Sequence, residues 1–417
     1  MNLIREETRD RDAVSRTAPL APFPKLKQLW ARLTTAYAVV AIILFSTFLL
    51  FVALNLILMV VFYFRGPEPG TLRLPNYSEA ALRVVYPDLG RAEREELLRE
   101  TWLRTFDYED FVLFKERPFR GKYVNVNEAG FRISPNQGPW PMEPTNLNIF
   151  VFGGSTSFGY GLPDSQTVPA YLQQALSDVV ARRVCVYNFG AGWYYSTQER
   201  VLFERLFTAG HRPDIIVFID GLNDCFHWDD RPQFSERAST IFTKDRSGGL
   251  HSLVGRMPIG RAIRAVDRRI AKPTLPPSEL EIRANLERYV SKKGLIEAIC
   301  KQFGILPLFV WQPIADYNYD LKYHLFANPG DDTKRQSFVY SEMANMYQAG
   351  LLGENFLWCA DMQQNDKECL YVDRHHYTAK FANRFANAIA GAIKDKQLLQ
   401  HARAPQSLSQ TPITARE

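Results

Sequence analysis

LNIFVFGGSTSFG, residues 147–159, decides the fold. Its first six residues, apolar except Asn148, form the short run expected of a strand buried on both faces, and they stop at a Gly-Gly-Ser turn. Outward from this stretch the pattern repeats: a helix around Thr167 to Val179, strand VCVYNF, a helix around Thr197 to Thr208, and strand DIIVFID. Strands alternating with helices predict an α/β fold with a parallel sheet covered on both faces. Residues 225–280 break the rhythm with charges and prolines and read as an insertion. It resumes with a helix near Leu286 to Phe303, strand ILPLFVW, a helix near Ser337 to Gln348, a short strand NFLW and a final helix near Thr378 to Lys394.

The chain has 417 residues, but its ends do not read as globular. Residues 1–35 are polar without an apolar period, 36–64 are almost wholly apolar, and 402–417 read as a disordered tail. Residues 146–401 then form one large domain. Residues 65–145 form a lead-in that packs on it, with a helix around Ala92 to Thr105 and an alternating stretch, YVNVNEAGFRIS, that turns at Gly130. A composition of 46% hydrophobic and 23% charged residues excludes a disordered, collagen-like or coiled-coil chain. Net charge is +5, and the first 35 residues, with seven Lys/Arg against four Asp/Glu, hold +3 of it. The nearly neutral remainder has no basic stripe for a phosphate backbone, so nucleic-acid partners are excluded.

Between Arg32 and Arg65 lie 32 residues without a charge. At about 1.5 Å per residue they exceed a hydrocarbon core of roughly 30 Å. A cleaved signal peptide has an apolar stretch of about 7–15 residues and a small-residue cleavage site, and neither fits. Residues 36–64 therefore read as an uncleaved transmembrane anchor. The excess of Lys/Arg before the span predicts a cytoplasmic tail over 1–35 and an extracytoplasmic domain, periplasmic in a bacterium. Of five cysteines, Cys185 and Cys300 fall in strand and helix patterns as buried thiols. Cys359 and Cys369 flank a polar loop, and both a disulfide and two unpaired thiols fit that spacing.

Three polar motifs follow predicted strands and a fourth opens the last helix. Open parallel sheets bind ligands in the crevice at the carboxyl ends of their strands. Gly153-Gly154-Ser155 presents a hydroxyl at the first strand end, and the lack of a following Lys-Ser or Lys-Thr excludes a phosphate loop. Asn188 to Ser196 (NFGAGWYYS) frees backbone N–H groups or simply turns. In Gly221-Leu222-Asn223-Asp224, Asn223 either aims its amide at a developing oxyanion or caps a turn. In Asp373-Arg374-His375-His376, a carboxylate three residues before an imidazole can hold its tautomer. Adjacent histidines also suit a metal, but no Cys or Glu has ligand spacing, so neither metal nor cofactor is expected.

In this order and placement, the four motifs resemble those of the SGNH hydrolases, or GDSL-type esterases, over roughly Asn146 to Ile393. Asn127 to Arg132 is similar to a segment found before membrane-anchored members. The resemblance implies a three-layer α/β/α sandwich of flavodoxin-like type. It also implies Ser155 as nucleophile, His376 as general base, Asp373 as its orienting partner, and Asn223 as an oxyanion donor. His376 is preferred to His375 by its spacing from Asp373 and by the Tyr-Thr that follows. Gly154 departs from the namesake motif, which has Asp there. The second motif's oxyanion N–H aligns with Gly192 or, counted from Asn188, with Trp193.

This leads to a membrane-anchored serine esterase that cleaves an acyl ester on a polysaccharide, such as an envelope or exported glycan, or on a lipid. The same residues serve an O-acyltransferase that passes the acyl group to a sugar hydroxyl. A third reading is a glycan-binding or assembly protein with a vestigial triad. It is motivated by Trp193, Tyr194, Tyr195, Phe226, Trp228, Trp311, Tyr317 and Tyr319, which fall near the crevice as sugar-stacking or packing aromatics.

Overall fold

The computed structural model describes residues 24–65, 77–227, 229–235, 238, 257–270, 278–327, 332–396 and 398–401. Most of the N-terminal tail, the C-terminal tail, Trp228 and much of the 225–280 insertion lie outside the described residues. The chain divides into two compact units, Met1–Pro69 with Arg246–Lys272, and Gly70–Asp245 with Pro273–Glu417.

In the first unit, helix α1 (Pro24–Arg65) contains the apolar stretch Lys27–Phe64, whose most apolar window is wholly unburied. It is the one helix among the described residues long and apolar enough to cross a membrane. The inserted helix α7 (Pro258–Ile270) belongs to this unit: the Ile259 N–H donates to Asn55 Oδ1 at 3.2 Å, and the Arg261 guanidinium lies 4.1 Å from the Phe62 ring centre.

The second unit begins with helices α2 (Glu79–Val85) and α3 (Arg91–Trp102). An antiparallel hairpin follows, β1 (Phe106–Glu109) with β2 (Leu113–Glu116), and then the short pair β3 (Phe119–Arg120) and β4 (Asn125–Val126). Its core is a five-stranded parallel sheet of β5 (Leu147–Gly153), β6 (Val184–Asn188), β7 (Ile215–Asp220), β8 (Leu306–Trp311) and β9 (Phe356–Trp358). The order is β6-β5-β7-β8-β9, so the chain reverses direction of travel between β6 and β7. That reversal opens a crevice at the C-terminal end of β5, directly before Ser155.

Strand alternation sorts the side chains into two cores. Ile149, Val151, Val186, Val217, Leu308 and Val310 face helices α5 (Val168–Ser177) and α10 (Ala379–Asp395), which supply Leu172, Leu176, Phe381, Phe385 and Ile389. The opposite face is aromatic. Phe152, Phe218 and Phe309 occupy matching positions on three strands and stack at 5.0 and 5.4 Å under α6 (Ser196–Thr208), α8 (Glu279–Phe303) and α9 (Asp332–Gln348). Both faces are therefore apolar, which explains the near-continuous apolar strands.

Helix α8 begins seven residues before the expected Leu286. Ser278 accepts the Glu281 N–H while Glu281 accepts the Ser278 N–H, a capping box that extends the helix upstream. The five cysteines are free thiols. Cys359 is buried, with its thiol pushed up to about 12 by burial, and the Cys369 Sγ contacts the Tyr371 carbonyl at 3.3 Å; of the two pairings the sequence allows, the structure has the unbridged one.

Candidate active site

Ser155 is the first residue of the short helix α4 (Ser155–Phe158), which starts where β5 ends. Gly154 caps it in extended conformation, and the Ser157 and Phe158 N–H groups turn back to its carbonyl. The Ser155 N–H makes no hydrogen bond among the described residues and is one of the unsatisfied donors of a helix start.

A loop clamped by two backbone bonds, Val372 N–H to His376 O and Thr378 N–H to Leu370 O, both 2.8 Å, carries the other end of the chain back to this serine. His376 Nε2 lies 2.8 Å from Ser155 Oγ, across 221 positions of sequence. His376 Nδ1 lies 2.7 Å from Asp373 Oδ2, and the second carboxylate oxygen accepts the N–H groups of His375 and His376, each at 2.8 Å. Asp373 and His376 are buried. Burial by itself pushes the Asp373 carboxyl upward, but His376 and the two backbone donors outweigh it and hold the group below the usual carboxylate range. His376 is further confined by Tyr160, whose ring stacks on it at 5.4 Å, and by Trp102, edge-on at 5.5 Å. This is a hydroxyl, an imidazole and an orienting carboxylate in hydrogen-bonded series, the geometry that activates a serine.

His375 is pulled away from that series. Burial depresses its imidazole to about 4, and its Nδ1 has no hydrogen-bond partner among the described residues. It is a neutral side chain on the cleft wall.

Asn223 follows β7 on a turn braced by Asp224, which accepts the Ser196 hydroxyl at 2.5 Å and the Gly221 N–H at 3.3 Å. One Asn223 N–H donates to the Tyr194 carbonyl at 2.7 Å, which fixes the amide's orientation and leaves its second N–H for a ligand. A Cβ on Gly154 would lie 2.4 Å from Asn223 Nδ2, so the glycine leaves room for this amide beside Ser155. Asn223→Ala is expected to lower kcat about 100- to 1,000-fold with little change in KM, read from initial rates on a simple ester. Near-normal turnover would remove Asn223 from this role.

The two candidates in the second motif differ. The Gly192 N–H is already donated to Glu116 Oε1 at 3.0 Å. The Trp193 N–H has no partner among the described residues, and Trp193 adopts a left-handed backbone, φ 61°. Of the pair, Trp193 is the one with a donor free for ligand, a distinction that depends on Glu116, 76 residues upstream.

These groups border a cleft of about 1100 Å³. Trp193 and Phe226 line it as expected, but Tyr194, Tyr195, Trp311 and Tyr319 are buried packing residues and Tyr317 packs against the aromatic core. The other aromatic walls are Trp102, Phe106, Tyr160 and Phe234. The first two come from the lead-in, where no motif marks them. From the 225–280 insertion, Phe226, His227, Asp229 and the run Arg231 to Ser235 reach the cleft, whereas Pro258–Ile270 belongs to the unit of α1. Among the described residues no cluster of His, Cys, Asp or Glu is arranged to hold a metal ion.

No family model matches this sequence, and no curated protein sequence does. Among solved structures the chain is similar to a lipolytic protein of the G-D-S-L family from Desulfitobacterium hafniense, at 12% identity and TM-score 0.30 over 59% of this chain and 99% of that one. It is similar to a lipase/acylhydrolase from Enterococcus faecalis at 15% identity and TM-score 0.33, covering 63% and 99%. A catalytic mutant of an acetylxylan esterase from Geobacillus stearothermophilus is similar at 13% identity and TM-score 0.34, covering 60% and 94%.

Proposed function

We propose that this chain is a serine esterase that hydrolyses an acyl ester through an acyl-serine intermediate. The observation that carries the reading is the unbroken series Asp373–His376–Ser155, with contacts of 2.7 and 2.8 Å. Ser155 Oγ attacks the ester carbonyl while His376 Nε2 takes its proton, and Asp373 stabilises the resulting imidazolium. The carbonyl oxygen becomes an oxyanion facing the N–H groups of Ser155 and Trp193 and the Asn223 amide. Collapse of this intermediate expels the alcohol, which leaves with the proton from His376. Water, deprotonated by His376, then attacks the acyl-serine and releases the acid and the free hydroxyl.

Two further features belong to the proposal. The charge-free residues 33–64 of α1 anchor the chain, and the Lys/Arg excess before them supports an esterase outside the cytoplasm. The cleft is far larger than an acyl group and has aromatic faces on several sides, which supports an alcohol of oligosaccharide size.

A fluorophosphonate tests the nucleophile. Full-length protein in detergent is expected to be labelled once, and Ser155→Ala is expected to abolish labelling. Folded wild type that stays unlabelled overturns the esterase and favours a binding protein. Free acid as the product with a sugar acceptor present supports hydrolysis, whereas acylated sugar would reassign the enzyme as a transferase.

A further inference from the structure

Glu116 ends β2 in the lead-in, and its carboxylate is 1% exposed. Oε2 accepts Arg104 Nη1 at 3.0 Å in a buried ion pair. Oε1 accepts two donors, the Tyr160 hydroxyl at 3.1 Å and the Gly192 N–H at 3.0 Å. These two donors lead to the two moving parts of the proposed chemistry. Tyr160 is the ring stacked on the His376 imidazole, 21° from parallel. Gly192 immediately precedes Trp193, the residue with a free N–H and φ 61°.

We propose that Glu116 is a positioning residue for the esterase, with one carboxylate oxygen holding both the base and the oxyanion loop in register. The proposal rests on the reading of Ser155 as nucleophile. A residue with a side chain resists the left-handed region unless its neighbours hold it there. A bond from the preceding N–H to an ionised acceptor is the stronger kind of hold. The junction has no slack, since a Cβ on Gly192 would lie 2.7 Å from the Tyr160 hydroxyl. Arg104 makes a buried carboxylate tolerable here, and its guanidinium is itself bonded to the Glu100 carbonyl at 2.8 Å and set 4.4 Å over the Phe158 ring. A base and an oxyanion donor tied to a single oxygen cannot drift apart independently, and small misplacements of such groups are expensive in rate.

An alternative role for the ion pair is only to fasten the hairpin, and a pair of double variants separates the two. R104M/E116Q removes both charges but keeps an amide oxygen that can accept from Gly192 and Tyr160. R104M/E116L removes both charges and the acceptor. Neither leaves a buried unpaired charge, the change most damaging to folding. With para-nitrophenyl acetate, the Leu variant is expected to show kcat about tenfold or more below the Gln variant, with KM within about twofold. Equal kcat values in folded protein would overturn the positioning role. In protein carrying nitrogen-labelled tryptophan and histidine, the Trp193 amide and His376 ring signals are expected to shift or broaden in the Leu variant and stay near wild type in the Gln variant. Unchanged signals in both would also overturn it. Tyr160→Phe, which leaves the ion pair intact, is expected to lower kcat without raising KM, and an unchanged kcat there counts against the proposal even if the Leu variant does not fold. Failure of wild type to react with fluorophosphonate would overturn the esterase reading and this role together; equal kcat values in the double variants would overturn the role alone.

Discussion

Replacing His376 with alanine is expected to lower kcat by about a million-fold, the scale seen when a triad base is removed, whereas His375→Ala should cost less than about tenfold. The contrast between neighbours follows from where each ring nitrogen lies. His376 has one nitrogen 2.7 Å from a carboxylate and the other 2.8 Å from the serine hydroxyl, so its loss leaves Ser155 with no proton acceptor. His375 reaches neither, and burial holds it neutral with a value near 4. Initial rates on para-nitrophenyl acetate, normalised to the concentration of folded protein, read both effects. A severe loss in His375→Ala with a mild one in His376→Ala would exchange their roles.

Asp373→Asn is expected to reduce kcat by about ten-thousand-fold while the protein stays folded. The cause is tautomeric. Asp373 Oδ1 accepts two backbone N–H groups, so an asparagine must put its oxygen there and turn its NH₂ toward His376 Nδ1. The imidazole then has to accept at Nδ1 and carry its proton on Nε2, facing Ser155, where it can no longer act as base. The same environment links the site to acid stability. The folded Asp373 carboxyl is held below its unfolded value, so its contribution is present above the unfolded value and lost as pH falls through the folded one. Acid unfolding should therefore be less steep in Asp373→Asn, followed by circular dichroism, and an identical acid profile would deny that this carboxylate is ionised in the fold.

Much of this site could be read without coordinates because its parts stand at strand ends. Ser155, Asn223 and the Asp373–His376 pair each follow a short apolar run or open a helix, and a parallel sheet brings all such ends to one side. Glu116, Trp102, Tyr160 and Phe106 carry no such mark. Three of them precede the sheet, and each has a side chain that suits ordinary packing. Phe106 and Glu116 sit on a hairpin whose strands, FDYE and LFKE, are too short and too charged to announce a buried carboxylate. The inserted segment was illegible for a different reason. Its charges and prolines mark a departure from the α/β rhythm, but nothing in them separates Arg231 to Ser235, which border the cleft, from Pro258–Ile270, which folds with α1.

Apolar periodicity, glycine placement and the run of uncharged residues are local properties, and they alone determined the parallel sheet, the alternating aliphatic and aromatic cores and the long apolar helix. The choice between Gly192 and Trp193, the unbridged state of Cys359 and Cys369, and the separation of His375 from His376 were decided only by tertiary structure. Each depends on which atom a distant chain segment has already claimed or left free: Glu116 takes one N–H and spares the next, and Asp373 turns toward one imidazole and away from its neighbour.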